Sequence, residues 1–229
     1  MKNRIKIFFS AVLFAFLSGK SMAAFSLNAT RYIYESDKHN VSVTVSNNAD
    51  KAFGGQVWIE NSTQGNGVYM VPQPPFFKVG AGQKQVVRIL KTNSNLPEDR
   101  ESLFFLNVQE IPPKPEAKDG SNVLSIAMNT KVKLIYRPQS IKNGRQNAEK
   151  QLRLEQRDGK TWLKNPTPYY FAVVKVTHNG KEVNLSEKAK MDIARLAPFS
   201  DVPLGNKITG TIKISAVNDW GGVDSYDIH

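Results

Sequence analysis

Short apolar segments separated by turn-forming residues are the feature that restricts the fold of this chain most strongly. Val41–Val45 alternates strictly between apolar and polar residues, as a half-buried strand does. Further short runs rich in apolar residues follow at Gln56–Glu60, Gln85–Leu90, Leu103–Val108 and Val123–Tyr136. Clusters of Gly, Pro and Asn lie between them. Several strands at this spacing predict a β-sandwich of the immunoglobulin-like kind.

A second all-β unit is predicted after Arg137, where the composition changes. Ser140–Lys150 is polar and basic without apolar periodicity, so it is interpreted as a linker or a domain entry. Glu187–Leu196 has some helical spacing and is left unassigned. We expect an N-terminal domain over 24–143 and a smaller β-sandwich over 144–229. The predicted strands of the second unit are Gln151–Leu154, Lys160–Leu163, Tyr170–Thr177 and Lys207–Val217.

The first 23 residues have the pattern of a secretory signal peptide. Lys2, Arg4 and Lys6 precede the apolar stretch Ile7–Leu17, and small residues follow at Ser21 and Ala23. Removal after Ala23 is expected to leave a protein without stable membrane insertion, although a retained signal anchor is the alternative. The chain contains no Cys, which excludes disulfides and thiolate metal sites.

Composition and motifs favour a binding protein over an enzyme. The net charge is +11, but the basic residues are dispersed, and an exported protein is not expected to bind nucleic acid. His39, His178 and His229 show no partner spacing, and no G-x-S-x-G, H-E-x-x-H or phosphate-loop motif is present. A Ser-His-Asp site assembled from distant positions stays open. We expect no cofactor and no metal.

Five segments carry a resemblance to a known family. They are Leu96–Pro113, Ala24–Arg31, Thr130–Pro138, Asn165–Tyr170 and Asn218–Gly222. In their order along the chain they resemble landmarks of the periplasmic pilus-assembly chaperones, with Ala24–Arg31 similar to the first strand of the family. The resemblance extends over nearly the whole chain after the signal. It implies an all-β protein of two immunoglobulin-like sandwiches, arranged at an angle with a cleft between them.

The resemblance also implies partners and a binding mode. Clients of this family are pilin-like fimbrial subunits that lack a final strand, and the donated strand maps to Leu124, Ile126 and Met128. These side chains share one face of a strand, and alternation alone favours their facing the core of this chain, whereas the resemblance favours their donation to a client. Arg31 and Lys133 resemble the cations that bind the terminal carboxylate of the subunit. Alternation alone does not choose between Lys133 and Lys131.

Two further residue sets are implied by the same resemblance. An interdomain ionic network maps to Glu101, Arg137 and Asp219. The second set is a surface for the outer-membrane usher, which maps to Pro74, Pro75, Arg88, Ile111 and Pro112. Gln56 is an additional candidate for this surface.

Several alternatives stay open from the sequence. The short loop Pro112–Ser121 resembles the subgroup of the family that serves rod-forming pili. Whether the free protein caps its exposed strand by dimerising is not decided, nor is the fimbrial system served. The rival functions are an extracellular two-domain adhesin or ligand-binding protein and a secreted hydrolase.

Overall fold

A computed structural model of the chain describes residues 24–92, 95–114 and 124–229. The predicted signal peptide, most of the loop Pro112–Ser121 and Val123 lie outside the described residues. Within them the chain forms two β-sandwiches. The strands of the first are β1 (Phe25–Leu27), β2 (Arg31–Glu35), β3 (Asn40–Asn47), β4 (Phe53–Asn61), β5 (Met70–Gln73), β6 (Phe76–Val79), β7 (Lys84–Lys91), β8 (Ser102–Ile111) and β9 (Asn129–Arg137).

The first sandwich is built from two sheets around one apolar core. One sheet has the order β1-β3-β7-β5 and the other β2-β9-β8-β4-β6. The alternation predicted for Val41–Val45 is confirmed, because Val43 and Val45 are fully buried. Phe104 and Leu106 on β8 and Leu134 on β9 close the core from the other sheet. Apolar burial on these two inner faces stabilises the sandwich.

The chain changes sheets near its beginning, so that Ala24–Arg31, which resembles the first strand of the family, is divided between β1 and the start of β2. β1 pairs antiparallel with β3, whereas β2 pairs parallel with β9 in the opposite sheet. The Asn28 side chain fixes the crossover. Its Oδ1 accepts hydrogen bonds from the Tyr32 hydroxyl at 2.7 Å and from the Thr44 backbone N–H at 2.8 Å.

The predicted run Val123–Tyr136 is shorter as a strand than expected. β9 begins at Asn129, opposite Gln109 of β8, and Leu124–Met128 is not part of a strand. The Met128 carbonyl still accepts the Glu110 backbone N–H at 3.0 Å. Beyond Ile111 the neighbouring chain continues into Pro112 and Pro113, which have no backbone N–H to extend the ladder.

The second sandwich contains seven strands and one short α-helix within the described residues. Its sheets have the orders β10-β11-β14 and β13-β12-β15-β16. The helix α1 (Glu187–Ile193) begins at the Ser186 cap and occupies part of the segment that was left unassigned. In the described part of the chain, every helix is too short or too polar to cross a bilayer. The strands are β10 (Arg153–Arg157), β11 (Lys160–Lys164), β12 (Val173–His178), β13 (Lys181–Glu182), β14 (Asp201–Asn206), β15 (Ile212–Val217) and β16 (Val223–Ile228).

The segment between the sandwiches, which the sequence predicts as a linker or a domain entry, has regular secondary structure and is partly buried. It contains two 3₁₀ helices, Gln139–Gly144 and Ala148–Gln151. Arg145 and Glu149 are both buried and form two hydrogen bonds, of 2.8 and 3.0 Å. In a buried ion pair of this kind each side chain compensates the charge of the other. The amino-acid composition alone does not indicate such a pair.

Candidate functional site

An unpaired strand edge is the first element of the candidate site. β8 pairs with β9 from Asn129 onward on one side, but β2 pairs with it only from Lys133 on the other. Among the described residues, no strand occupies the second edge of β9 ahead of Lys133. Backbone N–H and C=O groups on that edge can therefore pair with a strand from another chain.

Three large apolar side chains precede this edge in solvent. Leu124, Ile126 and Met128 are 84%, 67% and 51% exposed. They lie outside the core of the first sandwich. Their exposure contradicts the alternative in which these three side chains face the core of this chain. If the alternation of β9 continued through them, they would share the face of the buried Leu134 and Tyr136. The arrangement can supply apolar side chains to a partner that pairs with the edge.

Arg31 and Lys133 lie side by side at the point where the unpaired edge ends. They are register partners in the parallel ladder between β2 and β9. Each also contacts the second sandwich: Arg31 Nη1 donates to the Val217 carbonyl at 2.9 Å, and Lys133 Nζ donates to the Ala194 carbonyl. Their pocket has apolar and aromatic walls from both sandwiches. These are Leu103, Ile135, Tyr170, Phe171 and Ala172.

The electrostatics of this pocket favour an anionic ligand. Burial, with the nearby charges of Arg31 and Arg195, lowers the pKa of the Lys133 ammonium to about 8. Burial likewise lowers the pKa of the Arg31 guanidinium, against the opposing charge of Asp219. The buried Nε of Arg31 has no hydrogen-bond partner within the described residues. A carboxylate would supply the negative charge and the acceptor oxygens that these cations lack.

The structure distinguishes Lys133 from Lys131, which alternation could not. Lys131 Nζ is 2.8 Å from both carboxylate oxygens of Glu60 and lies 4.6 Å from the centre of the Phe105 ring. Its charge is therefore already paired at an exposed position, whereas among the described residues Lys133 donates only to a neutral carbonyl.

Glu101, Arg137 and Asp219 are brought together as a chain of ion pairs between the sandwiches. Arg137 Nε is 2.6 Å from Glu101 Oε1, and its two terminal nitrogens are 2.6 and 3.1 Å from the Asp219 carboxylate. Glu101 also accepts the Tyr170 backbone N–H at 2.7 Å. Burial raises the pKa of Glu101. Burial disfavours the charge of Asp219 too, but the Arg137 guanidinium holds the pKa of Asp219 below its usual value.

Sequence reasoning missed that this network is longer. Arg145 Nε lies 3.7 Å from Asp219 Oδ1, and the buried Arg145–Glu149 pair extends the chain of charges. The i,i+4 spacing of Arg145 and Glu149 was an available signal. It went unused because the segment as a whole is polar and basic without apolar periodicity, which predicts a linker or a domain entry.

The residues assigned to the usher surface lie on or next to β5, β7 and β8. Pro74 and Pro75 follow Gln73, which pairs with Arg88, and the Pro75 carbonyl accepts the Val57 backbone N–H at 2.8 Å. Ile111 pairs with Gly54, two residues before Gln56 on the same strand, and is followed by Pro112. The exposed Phe76 pairs with Gln56 in the neighbouring strand, so an apolar ring adjoins this surface.

The described residues do not assemble a metal site. No group of three or more His, Asp or Glu residues among them could hold a metal ion. His178 Nε2 is 2.9 Å from the Thr209 carbonyl, and His229 Nδ1 is 2.9 Å from the Thr211 hydroxyl.

Two family models together match most of the chain. The first, described as "Pili and flagellar-assembly chaperone, PapD N-terminal domain", matches residues 24–142. The second, described as "Pili assembly chaperone PapD, C-terminal domain", matches residues 147–228.

Named relatives and solved structures give the same picture. The chain is 47% identical over 223 residues to the chaperone protein FanE of Escherichia coli, covering 96% of this chain and 97% of FanE. It is 35% identical over 225 residues to the chaperone protein PapD of Escherichia coli, covering 96% and 91%. The structure of the Salmonella enterica SafA pilin in complex with the SafB chaperone contains a chain that matches with a TM-score of 0.77. The identity is 27%, and the match covers 92% of this chain and 97% of that one. The Escherichia coli chaperone DraB matches with a TM-score of 0.74 at 26% identity, covering 90% and 95%.

Proposed function

The chain belongs to the PapD-like family of pilus-assembly chaperones, and from this premise we propose that it binds pilin-like fimbrial subunits by donating a strand along the free edge of β9. Its function is that of a chaperone for pilus subunits. The observation that carries the proposed mode of binding is the exposure of Leu124, Ile126 and Met128 just ahead of that edge. In the empty protein these side chains keep apolar area in water that a subunit groove would bury.

The position of the two cations gives the client strand a direction. A client strand that pairs with the open edge of β9 lies in line with β2, on the same side of β9. It must therefore end where β2 begins, at Arg31. If its terminal carboxylate binds Arg31 and Lys133, the strand runs toward Lys133 and therefore parallel to β9. A client strand that extends alongside Leu124 to Lys133 would be about 30 Å long.

Anchoring the carboxylate also selects the register of the client. A shift of one residue would turn every alternate client side chain away from Leu124, Ile126 and Met128. Charge-assisted hydrogen bonds to one end of the strand oppose such a shift, and each contributes about 1.5–3 kcal/mol. The apolar contacts supply affinity, while the cations supply register.

We assign the remaining parts of the chain in accordance with this function. Residues 1–23 act as the signal peptide, 24–143 form the subunit-binding domain, and 144–229 form the second domain. Membership of a pilus-assembly chaperone family and the signal-peptide pattern of residues 1–23 support the periplasm as the location. The usher surface is formed by Pro74, Pro75, Arg88, Ile111 and Pro112. Arg88→Glu is expected to leave subunit capture intact and to reduce binding of the subunit complex to the usher.

The free protein is expected to cap its own edge when no subunit is present. The edge of β9 and the exposed Ile126 are available to a second copy of this chain. Sedimentation of the purified chaperone at increasing concentration tests this dimer, and Ile126→Asp should shift it toward monomer.

The rival functions have less support. The relatives are fimbrial chaperones, which does not favour an adhesin, and the family is not a known enzyme family.

The decisive experiment is a pull-down from the periplasm with a tagged chaperone, followed by mass spectrometry. The wild-type chain is expected to recover a pilin-like subunit, whereas the double variant Arg31→Ala, Lys133→Ala should not. Lys131→Ala serves as the matched control, because it removes a cation from the same face of β9 that is already paired with Glu60. A subunit recovered equally by the double variant would contradict the carboxylate anchor.

A further inference from the structure

The pocket of Arg31 and Lys133 has a third cation in its wall, and this one belongs to the second sandwich. Arg195 lines the same pocket, and none of the residues that line it is Asp or Glu. Three positive charges around one small pocket repel each other unless an anion lies between them. The charge of Arg195 contributes to the depressed pKa of Lys133, which supports their proximity.

The backbone on both sides of Arg195 is fixed. The Ala194 carbonyl, directly before it, accepts the hydrogen bond from Lys133 Nζ. Leu196, directly after it, forms an isolated bridge with Phe171 through two hydrogen bonds of 2.9 and 3.0 Å. Arg195 is thus held beside β9 by one contact to the first sandwich and one within the second.

The side chain of Arg195 is exposed, and in the described part of the chain it forms no hydrogen bond or ion pair. The other two cations of this helical segment are paired locally. Lys188 Nζ is 2.5 Å from Asp192 Oδ2, and Lys190 Nζ is 2.8 Å from Glu187 Oε1. Arg195 therefore differs from them in having its donors available to a ligand.

We propose that Arg195 binds the terminal carboxylate of the subunit together with Arg31 and Lys133, so that both sandwiches hold one end of the client. This inference rests on the proposed carboxylate anchor and adds a ligand to it. A carboxylate has about four acceptor positions, enough for donors from three side chains. The planar guanidinium of Arg195 can also form two parallel bonds to it.

The test uses the full chaperone and a synthetic peptide copied from the C-terminus of the subunit recovered with the wild-type protein. The peptide is made as a free acid and as a C-terminal amide, and its Kd is measured for wild type and variants. Arg195→Ala should weaken binding of the acid about tenfold and leave the amide unchanged. Arg195→Lys should recover part of the loss, and Lys188→Ala should bind both peptides like wild type.

A second measurement needs no client. The pKa of Lys133, followed by NMR in the empty protein, should rise in Arg195→Ala because a neighbouring positive charge has been removed. An unchanged pKa would show that Arg195 is not part of this cluster.

The outcomes distinguish a failure of the role proposed for Arg195 from a failure of the carboxylate anchor on which it rests. If wild type prefers the acid but Arg195→Ala binds like wild type, the inference is overturned and the two-cation anchor stands. Equal weakening of acid and amide also overturns it, because Arg195 would then contact the peptide away from its carboxylate. If wild type does not distinguish the acid from the amide, the carboxylate anchor itself fails.

Discussion

Arg31 and Lys133 are direct partners in the parallel ladder of β2 and β9, at the residue where that ladder begins. Their side chains point into a pocket without an acidic wall residue, and the pKa of Lys133 is lowered to about 8. The main cause is burial of the Lys133 ammonium, and the charges of Arg31 and Arg195 add to it, although Asp219 offsets part of the Arg31 charge. A carboxylate ligand would compensate these charges, which predicts a conflict between stability and binding.

Replacing Lys133 by Met should stabilise the empty chaperone. The folded pKa of Lys133 lies below the ordinary value for lysine, so the folded state disfavours its proton, and this cost is fully present below pH 8. Urea unfolding at pH 7 should show a rise on the order of 1 kcal/mol, after allowance for solvent screening. The gain should shrink between pH 8 and about 10.4, where the unfolded chain holds the proton and the folded one does not. A gain that grew with pH would contradict the argument.

Capture of the subunit peptide should weaken as the pH rises through about 8. Lys133 loses its proton in that range and can no longer pair with a carboxylate as a cation. Titration of the free-acid peptide at pH 6.5 and 9.5 checks this, with the amide peptide as the reference. Lys133→Arg should remove most of the pH dependence, because guanidinium does not titrate in this range.

Ile126→Asp should impair capture without destabilising the chaperone. Ile126 is 67% exposed, so the free energy of unfolding should change little. Burying its side chain in a subunit would contribute about 1.5–3 kcal/mol, so affinity should fall by roughly ten- to hundredfold. Val174→Asp is the matched control: Val174 is 55% exposed on β12 of the second sandwich, away from the free edge. If Ile126→Asp lost stability instead, the side chain would belong to the core.

Glu101→Ala should destabilise the protein by about 3–5 kcal/mol, because it leaves the buried Arg137 guanidinium without one of its two carboxylates. Asp99→Ala is the control, since Asp99 pairs with Arg100 at an exposed position and should matter little. Urea unfolding measures both variants. Small-angle scattering of Glu101→Ala should also show a wider distribution of angles between the sandwiches.

Strands with a clear alternation or a continuous apolar run were the predictable ones. β3 and β7 bury one face each and alternate, whereas β8 is buried on both faces and is recognised as a short apolar run. β5 was missed because it is short and contains Pro72, which a strand tolerates mainly at the edge of a sheet, where β5 lies. β2 was missed because the turn that separates it from β1 depends on the Asn28 side chain and not on a Gly or Pro.

The residues of the candidate site were predicted from the family resemblance and not from the sequence pattern alone. Alternation allowed Leu124, Ile126 and Met128 to face the core, and only the three-dimensional structure places them in solvent. Arg195 had no signal at all, because its relation to Arg31 and Lys133 arises from packing between two separate sandwiches. The Arg145–Glu149 pair was not predicted, because a buried ion pair and a solvated charged segment have the same composition.

The crossover between β1 and β2 decides how much of β9 is left for a partner. Each residue added to the start of β2 would pair with one more residue of β9, and that residue would no longer be available to the client. Each residue removed from the start of β2 would leave one more residue of β9 unpaired. The number of main-chain hydrogen bonds offered to a subunit is therefore set by where Asn28 turns the chain, independently of any side chain that the subunit presents. A chaperone built in this way can change which subunits it prefers through Leu124, Ile126 and Met128 while the length of the shared ladder stays constant.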